Sequence, residues 1–143
     1  MIETQTLHIS TNPQEFDFQL MHQVLRQTYW AKNIPFELME KAVRNSLSFA
    51  LFDEDKQVGF ARVITDQATF AYLADVFIVE TMQGKGLGQF LMAQIMAHPD
   101  LQGLRRFLLA TSDAHGLYAK FQFTPLGAPE SFMEINVKNI YEC

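Results

Sequence analysis

Cysteine is nearly absent from this 143-residue chain: the one thiol, Cys143, permits no intramolecular disulfide and no cysteine-based zinc site. His8, His22 and His98 show no spacing suited to a metal, so no metal is expected. Charge is sparse at 19% of residues, and 7 glycines and 5 prolines are too few for a low-complexity or collagen-like chain. No apolar run approaches the roughly 20 residues of a membrane-spanning helix. Met1-Ile2-Glu3-Thr4 has neither the basic stretch nor the apolar core of a signal peptide. A soluble, cytoplasmic protein with no membrane partner is the expectation. Positive charge is scarcer than negative, 11 against 16 residues, and its one doublet is Arg105-Arg106. Nucleic acid is therefore not an expected partner, because neutralising phosphates takes clustered Lys and Arg. An acidic surface favours cationic small molecules instead.

Apolar material is abundant: 48% of residues are hydrophobic and 13% aromatic. At this length the chain is expected to form one domain, 1–143. Residues 4–10 alternate as an opening strand, and Asn12-Pro13 supplies a turn and helix start. Phe16, Leu20, Val24 and Gln27 recur at helical spacing and predict a helix reaching about Tyr29; a second helix follows Pro35, with Leu38, Met39, Ala42 and Val43 on one side. Residues 48–53 and 57–64 then predict an antiparallel hairpin around an acidic turn. Residues 69–79 run more continuously apolar, as a strand buried on both faces would. An amphipathic helix carries Leu87, Leu91, Met92, Ile95 and Met96 and stops near His98, since Pro99 cannot continue it. Residues 104–111 predict another buried strand, and 113–121 a short helix capped by Asp113 or Ser112. Residues 131–137 alternate and would close the sheet or offer a dimer edge. The expected class is a mixed α/β (α+β) domain ordered β-α-α-β-β-β-α-β-α-β.

The most informative segment is Gln83-Gly84-Lys85-Gly86-Leu87-Gly88, between a buried strand and an amphipathic helix. Glycines let successive backbone N–H groups converge on one concavity, and the helix adds its free donors and positive dipole end. That combination suits a diphosphate. A dinucleotide fingerprint fails at Gln89, and the Gly-Lys-Ser/Thr of a nucleotide P-loop is missing. A tight strand-to-helix turn is the plain structural alternative.

Three elements in order resemble the GNAT N-acetyltransferase superfamily. Gln83-x-x-Gly86-x-Gly88 is similar to its Q/R-x-x-G-x-G/A acyl-CoA loop, and Ala74-Asp75-Val76-Phe77-Ile78 resembles its E-D-L-x-V strand. Ala114-x-x-Leu117-Tyr118-x-x-x-Gln122-Phe123 resembles its A-x-x-L-Y-x-x-x-G-F element. The resemblance spans about residues 48–137. It implies a mostly antiparallel sheet flanked by helices, whose central strands splay to admit the pantetheine arm of acetyl-CoA. Phe77, Ile78 and Val79 would then offer backbone partners to that arm. Backbone N–H groups from Gln83, Gly84, Lys85, Gly86, Leu87 and Gly88 would hold the pyrophosphate.

Tyr118 occupies the place of the family tyrosine that protonates the departing thiolate after an amine attacks the thioester. The family glutamate is replaced by Ala74, which leaves Asp75 as the first candidate to bind or deprotonate the amine; a purely structural role is its alternative. Gln122 stands where the family has glycine, and Thr111 where many members have asparagine. Acceptor choice in the family rests on the N-terminal helices and their connection, here Tyr29, Trp30, Phe36 and Glu37, where aromatics beside a carboxylate could receive a cation. The expectation is an acetyl-CoA-dependent N-acetyltransferase acting on a primary amine, of a small molecule, by direct attack in a ternary complex. A protein or peptide amine, and a non-catalytic acyl-CoA sensor, are the alternatives.

Overall fold

The computed structural model describes residues 6–142. Five strands form one sheet in the order β1-β2-β3-β4-β5: β1 (Leu7–Ser10), β2 (Leu47–Asp53), β3 (Lys56–Thr65), β4 (Phe70–Ile78) and β5 (Arg106–Leu109). The first three pairings are antiparallel, whereas β4 and β5 run parallel. Among the described residues four α-helices accompany the sheet: α1 (Phe18–Leu25), α2 (Phe36–Arg44), α3 (Leu87–Met96) and α4 (His115–Ala119).

The helices lie on two faces. Met21 and Leu25 of α1 and Met39 and Val43 of α2 share a buried cluster with Phe52, Phe60 and Phe77. Leu87, Leu91, Met92 and Ile95 of α3 and Tyr118 of α4 share the other with Phe49, Leu51, Val63 and Leu73. Buried polar side chains stitch the layers. Gln57 accepts from the Asp17 backbone N–H at 2.7 Å and donates to the Gly59 carbonyl at 3.2 Å. The Ser48 hydroxyl donates to the Val43 carbonyl at 2.8 Å, closing the end of α2.

A bulge in β4 decides how the sheet meets its helices. Phe60 pairs with Phe77 and Arg62 with Ala74, so two steps along β3 match three along β4. The extra residue reverses the alternation. Before it, Ala71 and Leu73 face α3; after it, Val76 and Ile78 do, and Phe77 is sent to the α1/α2 side. Asp75 absorbs the distortion with φ +58°, a left-handed conformation that Asp tolerates better than most residues. Next to this region Gly59 lets the strands close up: a Cβ there would lie 2.9 Å from Ile78 Cδ1 and 3.1 Å from the Phe77 carbonyl oxygen.

Several expectations are corrected. The first helix does not run from Phe16 to Tyr29: Asp17 caps α1 through the Leu20 N–H, and the chain turns after Leu25, with the Thr28 hydroxyl donating to the Leu25 carbonyl at 2.7 Å. Helical spacing in the sequence continues past a point where side-chain-to-backbone bonding ends the helix. Asn12-Pro13 opens a separate 3-10 turn, Pro13–Glu15. Neither Asp113 nor Ser112 caps α4; the Thr111 hydroxyl accepts from the Ala114 N–H at 3.0 Å. β5 is not a buried strand, its residues being half-buried or exposed. Residues 131–137 form no strand; Met133 and Ile135 are 97% and 98% exposed. The opening strand is seen from Leu7, and Thr4 and Gln5 lie outside the described residues, as does Cys143.

Candidate functional site

β4 and β5 pair through four rungs, Phe70–Arg106 to Leu73–Leu109, and then part. β4 continues to Ile78 while β5 ends. Beyond the last rung a cleft of about 210 Å³ opens, lined by Trp30, Ala74, Asp75, Thr111, Asp113 and Tyr118 among others. The freed edge of β4 carries backbone groups that no strand among the described residues takes up. The Val79 N–H is already spent on the Val58 carbonyl at 2.9 Å, toward β3. By alternation, Val76 and Ile78 rather than Phe77 and Val79 present their backbone to the gap. Val76 was not singled out from the sequence because the bulge that sets this parity leaves no mark in a single chain.

At the end of β4 the Gln83 side-chain amide donates to the Ile78 carbonyl at 2.9 Å and so orients the turn. Gly84 and Gly86 then take φ +79° and +83°, where a Cβ would be strained. Gly86 is the N-cap of α3, and no side chain caps this helix. Its first N–H groups have no partner within the helix and lie at the positive end of the dipole. Nothing stands within 4 Å of the Cβ position of either glycine, so the turn is open to a ligand. Lys85 is exposed on the same turn, whereas the Leu87 side chain is core, leaving only its backbone at the loop. A Cβ at Gly88 would lie 3.7 Å from Leu117 Cδ2, an ordinary van der Waals distance, so α4 packs beside the start of α3.

Tyr118 is buried in the cleft wall, 8% exposed, with its ring edge-on to Phe123. Burial pushes its hydroxyl pKa above the usual value, with further contributions from the nearby Asp113 carboxylate and Tyr29. Tyr118 thus holds its proton across the neutral range. The turn that follows α4 closes on Gln122, at φ +75°, with the Phe123 N–H bonded back to the Tyr118 carbonyl at 3.3 Å. Gln122 therefore keeps the left-handed turn that glycine would adopt at lower cost.

Asp75 sits between two donors. Its Oδ2 receives Arg62 Nε at 2.7 Å, and its Oδ1 receives Trp30 Nε1 at 2.8 Å. Arg62 also donates to the Ser46 hydroxyl at 3.2 Å. The indole bond holds Trp30 at the cleft mouth although it is 46% exposed, and Tyr29 stacks edge-on to it at 5.0 Å. Phe36 belongs elsewhere: its ring packs on His22 at 5.4 Å between α1 and α2. Glu37 is exposed in the first turn of α2 and does not line this cleft. Asp113 does line it and was read from the sequence only as a cap; its acidity and its place before Ala114 gave no other signal. Among the described residues no cluster of His, Cys, Asp or Glu could hold a metal, and no helix is long and apolar enough to cross a membrane.

The comparisons with known proteins agree with this geometry. Residues 44–125 match the family model described as an acetyltransferase (GNAT) domain. An acetyltransferase-named protein of Gibberella zeae is 33% identical, over 78% of this chain and 75% of its own length. A crystal structure described as a GNAT-family acetyltransferase from Xanthomonas campestris pv. campestris is 53% identical with a TM-score of 0.93, covering 96% of this chain and 97% of that one. A Clostridium acetobutylicum structure described with acetyl-CoA shares the fold at 12% identity and a TM-score of 0.65, covering 91% and 96% of the two chains. With its matching domain, relatives and parted β4–β5 pair, this chain belongs to the GNAT superfamily and is an acetyltransferase.

Proposed function

We propose that the protein transfers an acetyl group from acetyl-CoA to the primary amine of a small molecule, by direct attack with both substrates bound. The observation that carries this reading is the cleft between β4 and β5, with a proton-holding Tyr118 in its wall and the uncapped start of α3 at one end. The donor set fits acetyl-CoA. Backbone N–H groups at residues 84–88, with the charge of Lys85, suit a pyrophosphate, whereas the Gln83 N–H is spent on the Glu80 carbonyl at 3.3 Å. The backbone of Val76 and the Ile78 N–H suit the amides of a pantetheine arm, the Ile78 carbonyl being held by Gln83. When bound, acetyl-CoA supplies an activated acyl thioester.

The chain's own residues then divide the work. Tyr118 carries a proton at its hydroxyl, raised in pKa by burial, and delivers it to the sulfur as the thiol departs. Asp113, exposed on the cleft and making no side-chain bond or ion pair among the described residues, offers the carboxylate that receives the cationic amine and takes up its proton. Tyr29 and Trp30 contribute aromatic faces at the mouth. Asp75 acts as a positioning residue. With one oxygen on Arg62 and the other on Trp30, it holds the bulge and the indole rather than meeting the amine.

The test is thiol release from acetyl-CoA against polyamines, aminoglycosides, arylalkylamines, amino acids and short peptides. Turnover with one small-amine class, lost in Tyr118→Phe while acetyl-CoA still binds, is the expected result. Asp113→Asn should raise KM for the amine more than it lowers kcat. Turnover with peptides only would replace the small-molecule acceptor by a protein amine. Binding of acetyl-CoA without turnover across the panel would point to a sensor.

A further inference from the structure

The cleft beyond the last β4–β5 rung is lined by carboxylates and by no cation. Asp75 and Asp113 face it, and among the described residues no Lys, Arg or His does. The Asp75 charge is already answered: Arg62 Nε meets its Oδ2 at 2.7 Å, the two side chains being only 17% and 13% exposed. Its Oδ1 accepts the Trp30 indole N–H, so both oxygens are engaged. Lys32, two residues beyond Trp30, pairs with Glu142 at 3.8 Å. Asp113 makes no ion pair among the described residues. The cleft therefore offers one free negative charge. A single ammonium answers it. A carboxylate or phosphate beside that ammonium meets like charge and no cation, and a second ammonium meets no partner.

The aromatic side of the cleft is held in place from outside. Trp30 stands in the connection 26–35 between α1 and α2, outside either helix. At the end of α2 the Ser46 hydroxyl donates to the Ala42 carbonyl at 2.8 Å and accepts from Arg62 at 3.2 Å. Arg62 holds Asp75, and Asp75 holds the indole. The last anchor is thus the bulged residue of β4 itself, at φ +58°. Bonding at the indole edge leaves its face free. Trp30 and Tyr29 are 46% and 68% exposed and set edge-on to one another at 5.0 Å. Tyr29 also helps to raise the Tyr118 pKa, which puts the aromatic pair near the reacting end of the cleft. Two large rings held in place and left in water form a platform for another flat ring, with little ordering left to do on binding.

We propose that Trp30, pinned by the bulge at Asp75, determines acceptor specificity, selecting a primary amine with one positive charge, a flat aromatic body and no carboxylate or phosphate. This rests on the acetyl-transfer reading above and narrows its acceptor. Asp113 takes the ammonium, and Trp30 with Tyr29 takes the ring. The cation-free lining rejects the amino acid of the same skeleton, which differs only by the group the cleft does not pair.

Initial rates of acetyl transfer from acetyl-CoA to 2-phenylethylamine, phenylalanine, n-butylamine and putrescine, with the intact protein, test this. The expected kcat/KM for 2-phenylethylamine exceeds that for phenylalanine by about 100-fold or more, because the carboxylate faces like charge. It exceeds those for n-butylamine and putrescine by about tenfold, the scale of an aromatic contact. In Trp30→Ala the preference for 2-phenylethylamine over n-butylamine should disappear, whereas discrimination against phenylalanine, which depends on charge, should persist. Trp30 is the only tryptophan, so its emission, titrated with the same four compounds beside coenzyme A, reads binding without turnover. The wild-type ranking and this titration need no variant, and misfolding of Trp30→Ala cannot hide the answer. Equal or better use of phenylalanine or putrescine, or an aromatic preference that survives Trp30→Ala, overturns the inference and leaves acetyl transfer standing. No transfer to any of the four, with Trp30 emission still answering to 2-phenylethylamine and not to phenylalanine, overturns the transfer reading and keeps the selectivity. Neither transfer nor response overturns the inference.

Discussion

β3 and β5 both flank β4, and they treat it differently. β3 follows β4 through its bulge for most of ten residues, six of them buried, and is clamped by the Arg62–Asp75 pair and the close packing at Gly59. β5 keeps four rungs, is half exposed, and leaves. The two sides separate stability from chemistry. On the β3 side, backbone pairing and buried side chains fix the register; on the β5 side, unpaired backbone and a buried tyrosine remain for a ligand. Functional sites are commonly drawn from the less heavily tied part of a fold.

Substitutions on the two sides should therefore fail in different ways. The largest effect belongs to Tyr118→Phe, which should lower kcat by about 10²–10⁴-fold with little change in Tm, checked by steady-state kinetics beside a melting curve. Since the Tyr118 pKa is raised by burial, the wild-type enzyme should not lose this acid below about pH 10. Stability linked to it is present below the unfolded-state value and declines as pH rises through the folded one. Comparable loss of Tm and kcat in Tyr118→Phe would break the contrast.

On the β3 side, Asp75→Ala leaves the Arg62 guanidinium without its carboxylate and puts alanine at φ +58°. Destabilisation of about 2–4 kcal/mol is expected in urea melts. Its kinetic effect should be carried by that instability and by loss of the Trp30 contact. Next, Gly86→Ala should cost about 1–2 kcal/mol from the left-handed backbone alone, because its Cβ meets nothing; calorimetric titration with acetyl-CoA should show the loss as weaker binding. The smallest change is a gain: Gln122→Gly relieves the φ +75° turn and should stabilise by about 0.5 kcal/mol. Away from both sides, Asp66 caps the β3–β4 turn. The Thr69 hydroxyl, then the Thr69, Ala68 and Phe70 N–H groups, hold its carboxyl well below the usual range. Its contribution is present above the unfolded carboxylate pKa and is lost as pH falls toward the folded value. An Asp66→Ala variant should show a flatter acid limb in Tm against pH.

Much of the fold was legible because its signals are local. The strand alternation in residues 48–53 and 57–64, the Pro99 stop and the glycine turn each follow from neighbours along the chain, and each appears where expected. The helix after Phe16 was overextended because helical spacing carries no record of the Thr28–Leu25 bond that ends it. The candidate site was legible in part. Gly84, Gly86 and Tyr118 stand in recognisable spacing, whereas Asp113 entered the cleft only when β5 and α4 were placed beside β4. Phe36 and Trp30 look equivalent in sequence, yet one packs between helices and the other hydrogen-bonds to Asp75.

The sequence by itself determined the order of the elements from β1 to α4, the left-handed glycine turn at the start of α3 and the placement of a tyrosine in the short helix beyond β5. These depend on backbone preferences and on periods of two or 3.6 residues. Only the tertiary structure decided that β4 bulges at Asp75, that β5 parts from it after Leu109, and that residues 131–137 stay off the sheet. Those outcomes depend on which strands become neighbours and on what their side chains then meet, and such pairings between distant segments are not written in any local pattern.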